Sequence, residues 1–420
     1  MTHRGRRAPR DDAVTIGAYG FFGMGNVGNE GTLDAFLTQV RARHPAASFI
    51  CFGADACAVR REHGIPAAQL MTYRAPGHAS GPAVLAGKAF GRLWDIPRTL
   101  WLVGKVDVLV VPGMGVLESR LTSSPWGLPY WLFLAVVACR IRRRPVALVS
   151  VGAEPSTHAV MRFFMSRIVR LANYVSYRDA ASVEAARSMG STGTPGTVYP
   201  DLAFSLEAPE GVEIRPGHVA MGVMQFAGGI GDPLRGPSVV DRYVASVVEL
   251  LHRLCSSGHT VTLLIGDRAD AALAEEILGR LRARAPGVAH RVTIAGQADD
   301  LDTIMREMAR AEVVVASRFH NVVCALSVGK PVVSLGYARK NRDLLMAFGL
   351  PDWSQDMDDF DVNRAVAEVE EAVAQRQRLE PVIRATLDSF RIRHEDQMAE
   401  LSRTLIEPRS ARSVRRLHVP

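Results

Sequence analysis

Two residues that could do chemistry, Arg318 and His320, stand where an apolar run stops and a helical pattern begins, in "EVVVASRFHNVVCALSVGKPVVSLGY". Val313, Val314 and Val315 read as a buried strand, and residues 331–335 as the next one. At the carboxyl end of a parallel strand, main-chain N–H groups and the positive end of the following helix favour anions. An arginine there can hold a carboxylate or phosphate by two parallel hydrogen bonds, and a histidine can carry a proton. Pairing of the arginine with a carboxylate, and helix capping by the histidine, explain the same residue types equally well. Both readings stay open at this point.

Three glycine turns follow other apolar runs. "GAYGFFGMGNVGNEGTLDAFL" (17–37) contains Gly23-x-Gly25-x-x-Gly28, formally a dinucleotide fingerprint, and Asp55 could serve as its ribose acid. The preceding strand should end near Tyr19, however, too early for the first motif glycine. Asn29 and Glu30 also put polar groups where close helix–sheet packing is wanted. The preferred reading is a loop that offers N–H groups, Asn26, Gly28, Asn29 and Glu30 to a sugar or phosphate. "VVPGMGVLES" (110–119), with Gly113 and Gly115, and "SVGAEPS" (150–156) are further turns of this kind. Each alone is explained by a tight turn, and three at successive strand ends would line one rim.

These residues need strands to hold them. Apolar, β-branched runs at 13–19, 47–53, 106–112, 145–151 and 174–178 form one series. Runs at 218–224, 259–266, 290–295, 312–316 and 331–335 form a second. Helical patterns lie between them, among them 158–173, 238–257, 269–285 and 299–310. Such alternation predicts an α/β fold of two Rossmann-like domains, with mainly parallel sheets facing across a cleft. The boundary falls in "LEAPEGVEIRPGH" (206–218), which is rich in Pro, Gly and charge. The expected units are a basic arm (1–12), an acceptor-side domain (13–210), a donor-side domain (211–407) and a basic tail (408–420). A final helical pattern, 362–406, either covers the second sheet or crosses back to the first. Ligands of open α/β sheets bind beyond the carboxyl ends of the strands. Lys340, after the last strand, should therefore face the cleft, and Lys330, before it, should not.

The five cysteines are scattered, with no CxxC pair, so neither a disulfide framework nor a metal site is expected. A reducing cytoplasm fits best. The net charge is +7, and the two termini supply most of it, leaving a nearly neutral body. The expectation is no nucleic-acid partner, because no basic stripe with stacking aromatics stands out. "YWLFLAVVACRI" (130–141) is too short to span a bilayer, which takes about 20 residues, and reads first as a buried helix. Arg140 and Arg142–Arg144 at its end, like the basic termini, leave peripheral contact with the inner membrane face open. Oligomeric state is not legible.

Taken in order, the segments "GNVGNEGTLDAFL", "VVPGMGVL", "VSYRDAASVEAARSMG", "VYPDLAF" and "ARAEVVVASRFHNVVCALSVGKPVVSLGYARK" resemble the polysaccharide pyruvyl transferase family. The resemblance runs over roughly residues 13–350 and implies a GT-B-like arrangement of the two domains. It also implies transfer of pyruvate from phosphoenolpyruvate onto two hydroxyls of a sugar or lipid-linked glycan, as a cyclic ketal, with no metal or cofactor. By position, Arg318 and His320 fall on the donor-binding and acid/base sites, and Lys340 on a recurring lysine. Ser317, Arg178 and Asp201 lie in matching segments and stand as substrate-binding candidates. Gln225 occupies a position where the family commonly has a basic residue, and Arg235 is the next arginine after it. A GT-B-type glycosyltransferase with a nucleotide-activated sugar donor is the alternative. A non-catalytic relative, the third reading, would have Arg318 and His320 buried and internally paired.

Overall fold

The structure is a computed structural model, and it describes residues 14–73, 81–118, 124–191, 196–225, 237–295, 301–336 and 339–407. The two basic termini and Arg235 lie outside the described residues.

The first half contains β1 (Thr15–Tyr19), α1 (Val27–Arg43), β2 (Ser48–Gly53), α2 (Ala56–His63), β3 (Ala67–Gln69) and α3 (Pro82–Val103). It continues with β4 (Val108–Pro112), α4 (Leu128–Ile141), β5 (Val146–Val151), α5 (Ala159–Leu171), β6 (Tyr174–Tyr177), α6 (Ala180–Ser188) and β7 (Thr197–Val198). The second half begins with β8 (His218–Val223), α7 (Pro237–Ser256), β9 (Thr260–Ile265), α8 (Asp270–Arg284), α9 (Pro286–Ala289) and β10 (Val292–Ile294). It ends with α10 (Leu301–Arg310), β11 (Val313–Ala316), α11 (Phe319–Ser327), β12 (Val332–Gly336), α12 (Arg339–Ala347), β13 (Ser354–Asp356) and α13 (Val362–Leu401).

All ten expected strands form, each within two residues of its expected limits. They make two separate parallel sheets, in the orders β3-β2-β1-β4-β5-β6-β7 and β10-β9-β8-β11-β12-β13. The central strands β4, β5, β8 and β11 are buried at every position, as strands covered by helices on both faces must be. The edge strands β3, β7 and β13 add to the expectation. They are only two or three residues long and have no apolar run to announce them.

Two hydrophobic cores result, one around each sheet. At 40 residues, α13 is about 60 Å long at 1.5 Å per residue, enough to reach both. Its earlier part buries Ala365, Val369, Leu379 and Ile383 in the second core, while Met398 and Leu401 enter the first. Near that end the Gln397 amide donates to Ser150 Oγ (2.9 Å) and Ser176 Oγ (2.8 Å), inside the first sheet. The last helix therefore covers the second sheet and also crosses back, clamping the two domains together.

Candidate active site at the interdomain cleft

In each sheet the strand order reverses beside a central pair: β1 and β4 in the first, β8 and β11 in the second. Ligand sites of open α/β folds form at such reversals. Here a cavity of about 450 Å³ opens between the carboxyl ends of both sets. Asn26 and Asn29 line it after β1, Gly115 and Glu118 after β4, and Arg178 after β6. From the other domain come Asp267 after β9, Arg318 and His320 after β11, and Lys340 after β12.

The glycine loop after β1 holds the two domains together. Gly23 and Gly25 adopt positive φ (83° and 77°), which glycine tolerates without strain. Their turn lays residues 25–27 against 266–268 of the second domain. Val27 N–H donates to Gly266 O (3.2 Å), and Arg268 N–H donates to Gly25 O (3.2 Å). Asn26 caps α1 by accepting from Asn29 N–H (3.2 Å), and its amide donates to Asp267 Oδ2 (3.0 Å). Gly28 then faces the other domain at closest range: a Cβ there would lie 2.1 Å from His320 Cγ and Nδ1. The close approach that this motif glycine permits is thus to an imidazole ring. Asp55, the formal ribose acid, caps α2 through the N–H groups of Cys57 and Ala58.

Glu30 does not line this cavity. Its Oε1 accepts from Gly23 N–H (2.7 Å), and its Oε2 meets His63 Nε2 (2.9 Å), with Asp34 on the other ring nitrogen (2.6 Å). Burial works against a charge on His63, but the hydrogen bonds from Asp34 and Glu30 outweigh it and raise the pKa to about 9. Glu30 thereby locks the turn.

A Gly28→Ala substitution should displace the His320 ring and cost roughly 1–3 kcal/mol through overpacking. Gly31→Ala should be milder, because its Cβ would meet the ends of two flexible side chains, Leu301 and, less closely, Leu206. Kinetics and chemical denaturation of both variants check this. Equal losses at the two positions would deny Gly28 its special place.

In the cavity wall lies a charge network centred on Glu118, which sequence reasoning missed. Glu118 is 2% exposed, and its carboxylate is held by Arg178 from its own domain and by Lys340 Nζ (2.9 Å) from the other. Gly115 and Gly152 leave room for it, since a Cβ at either would run into the carboxyl group. Burial favours the neutral acid, yet Lys340 and Arg178 overcome this and hold the pKa at about 2. Glu118 is therefore ionised near neutrality. Arg178 also donates to Asp201 Oδ2 (3.4 Å), and its guanidinium lies over the Phe319 ring (4.4 Å). Asp201 sits behind Arg178. Its main-chain oxygen accepts from His394 Nε2 (3.0 Å) on α13, so the long helix positions the network too. The sequence signal for Glu118 was its place in "VVPGMGVLES", just after a glycine turn at a strand end.

The SRFH stretch splits into different roles. Ser317 is buried and shares a hydrogen bond with Tyr243 OH (3.3 Å), away from the cavity. Arg318 reaches the cavity but donates two parallel hydrogen bonds to Asp270 (2.7 and 2.6 Å), a fully buried carboxylate. The main-chain N–H of Gln225 also donates to Asp270 (2.7 Å). The Gln225 side chain is not among the cavity-lining groups, and Gly113 likewise stands back, with positive φ (58°) beside Thr32. Lys330 lies at the far end of β12, paired with Glu380 of α13 (3.4 Å).

His320 differs. Its Nε2 is buried with no hydrogen-bond partner among the described residues, and Asp201 Oδ2 stands 3.9 Å away. Asn321, another cavity-lining residue, has a buried Nδ2 that also lacks a hydrogen-bond partner among the described residues. Native proteins rarely leave buried polar atoms unsatisfied, and those that remain commonly mark a place where something binds. Burial lowers the His320 pKa to about 4; Asp201 opposes this, while Arg178 and Lys340 reinforce it. The ring is neutral near pH 7. It starts as a proton acceptor, not as the imidazolium that a group titrating near neutrality would supply. The first turn of α11 has no side-chain cap, so it presents main-chain N–H groups at the same spot. The result is half of what a non-catalytic relative requires: Arg318 is paired internally and His320 is not.

The polysaccharide pyruvyl transferase family model matches residues 26–339, a span that begins at Asn26 within the glycine loop, includes Glu118 and the SRFH stretch, and ends at the first residue of α12. The chain belongs to the polysaccharide pyruvyl transferase family. No curated protein sequence matches it. Among solved structures it is similar to the UDP-GlcNAc 2-epimerase of Methanocaldococcus jannaschii (12% identity, 85% of this chain and 92% of that one, TM-score 0.56). It is also similar to the UDP-GlcNAc 2-epimerase of Neisseria meningitidis bound to UDP-GlcNAc (10%, 88% and 93%, 0.54). A third is a glycosyltransferase of Rickettsia africae (9%, 94% and 99%, 0.56). Identities this low speak for the fold alone, and they agree on the GT-B-like pairing of two Rossmann-like domains. In this family member, then, the cleft between the domains is lined by residues that follow six strands, β1, β4, β6, β9, β11 and β12.

Proposed function

We propose that this pyruvyl transferase takes phosphoenolpyruvate as donor and a sugar of a cell-wall or exopolysaccharide precursor as acceptor, and forms a cyclic ketal. The observation that carries the reading is the unpartnered Nε2 of a neutral His320, set beside Arg178, Lys340 and the uncapped start of α11. A carboxylate that carries an enol phosphate beside it suits such a place. Its oxygens share Arg178 and Lys340 with Glu118 and accept from the helix N–H groups, an electrostatic role.

His320 accepts the proton of the first sugar hydroxyl as that oxygen bonds to the central carbon of the donor. His320 then returns that proton to the methylene carbon, which becomes a methyl group, so the addition conserves protons and leaves the imidazole neutral again. The carbon–oxygen bond to phosphate then breaks. The second hydroxyl attacks the same carbon and gives its proton to the departing phosphate. One phosphoenolpyruvate and one diol yield one ketal and one phosphate. On the acceptor side the cavity is apolar, with Phe21, Met24, Met71, Met114, Leu128 and Trp131, which suits a sugar face and an attached lipid.

The test is incubation with labelled phosphoenolpyruvate and a panel of lipid-linked and nitrophenyl sugars. Phosphate release that depends on the acceptor, with label in the product, is expected. Release of nucleotide from an activated sugar, without phosphoenolpyruvate turnover, would replace this reading with glycosyl transfer.

A further inference from the structure

Helix α3 is built inside out. A surface helix normally buries its apolar stripe and exposes its charges. Here, over 87–99, the positions facing the domain are Gly87, Gly91, Asp95 and Thr99, spaced four apart, before the last turn buries Leu102 and Val103. Gly87 and Gly91 pack on Tyr73. Asp95 is 1% exposed and holds Thr72 N–H (3.0 Å) and Trp131 Nε1 (3.0 Å). The outward positions carry Leu85, Phe90, Leu93, Trp94 and Trp101, of which Phe90 is 71%, Trp94 57% and Trp101 58% exposed. Trp126 and Phe163 extend the same exposed apolar character beyond α3, through rings that meet Phe164 of α5.

The charges around this face have one sign. Helices α3, α4 and α5 contain a single acidic residue, the buried Asp95. Basic side chains sit among the rings: Lys105 Nζ lies 3.5 Å from the Trp101 centroid, Arg92 stands over Trp126 (5.7 Å) and Arg167 over Phe163 (5.4 Å). Aromatic and aliphatic side chains interleaved with cations, on a helix lying along the surface, are what an anionic bilayer interface accepts. No helix among the described residues is long and apolar enough to cross a membrane, so the contact would be lateral. The face also adjoins the site. Trp131, bonded to Asp95 of α3, lines the apolar part of the catalytic cavity.

We infer that the outer face of α3, with Trp126 and Phe163 beside it, docks the protein on an anionic lipid surface and so sets the apolar side of the cavity near membrane-borne acceptors. The docking holds whichever donor the cavity takes. Residues 130–141 fold within α4 with Leu132, Ala135, Val136 and Cys139 buried, as the buried-helix reading expects, so the membrane contact falls on α3 and not there.

The experiment is co-sedimentation of the full chain with vesicles of phosphatidylglycerol and phosphatidylethanolamine, against phosphatidylcholine alone. Partitioning to the anionic vesicles is expected, weakened by salt. The combined variant Leu93→Ser, Trp94→Ser, Trp101→Ser should lower it by roughly tenfold or more, with melting temperature and turnover of soluble acceptors unchanged. In the unaltered chain, brominated lipid should quench tryptophan emission, a readout that needs no variant. Three results would overturn the inference. One is no binding to either vesicle. Another is binding that the triple variant retains in full, which assigns it to the basic termini. The third is self-association, seen by sedimentation velocity and lost in the triple variant, without any vesicle binding.

Discussion

His320→Ala is expected to lower turnover by about 10²–10⁴-fold, the usual size of a lost acid–base contribution, and to leave the protein at least as stable near pH 5. The two effects have one cause. The ring is held neutral inside the cleft, with a pKa of about 4 against an ordinary value of 6.5. Between those values the unfolded chain binds the proton and the folded protein resists it. Stability is therefore full above pH 6.5 and is lost as pH falls toward 4. Removing the ring removes that penalty. His394, buried on α13 and also held at about 4 by burial, titrates in the same window, so the acid limb should shrink and not vanish. Melting temperature against pH, beside single-turnover kinetics, measures both. Proton magnetic resonance of the ring should give a midpoint near 4 in the free protein, moving upward when inorganic phosphate brings negative charge beside it. A variant with normal turnover per folded molecule would remove His320 from the chemistry. A midpoint of 6.5 would remove the environment argued for it.

Glu118→Ala is expected to cost about 3–5 kcal/mol, the usual loss when one member of a buried ion pair is deleted. The carboxylate is nearly inaccessible and bridges Arg178 of one domain to Lys340 of the other. Without it two cations are left facing each other across the domain interface. Glu118→Gln keeps the shape and one acceptor oxygen, so it should lose less. In both variants inorganic phosphate should raise the melting temperature more than in the unaltered protein, because an added anion replaces the missing charge and binds the folded state selectively. Thermal melts with and without phosphate decide the matter. Unchanged melting of Glu118→Ala would mean that Arg178 and Lys340 do not depend on this carboxylate.

The same reasoning changes what Arg318 can be expected to do. Its two hydrogen bonds to Asp270 mean that its loss strands a buried carboxylate, so a defect in Arg318→Ala is first a defect of the fold. The pattern Ser-Arg-x-His falls at the cleft and does not say that one of its charged groups is already partnered.

Sequence alone determined the two parallel sheets, ten of their strands, and the presence of Arg318, His320 and Lys340 beyond the strand ends. Runs such as "VLVV" in β4 and "VVVA" in β11 have no polar face, and an interior parallel strand covered on both sides is where such runs are stable. A residue following one must emerge on the ligand side of the sheet. Tertiary structure decided the rest. Glu118 and Lys340 are 222 positions apart, and Arg318 and Asp270 are 48 apart, so no local period connects them. The glycine at position 28 fits a dinucleotide loop or an imidazole ring equally well until the second domain arrives. The apolar residues of α3 would pass for core residues in the sequence, and only the packing of Gly87, Gly91 and Asp95 against the domain turns them outward. Periodicity along a chain records which side chains share a face. Which face meets protein, and which charge meets which, is set by contacts between segments distant in sequence, and those exist only once both domains have folded and closed on each other.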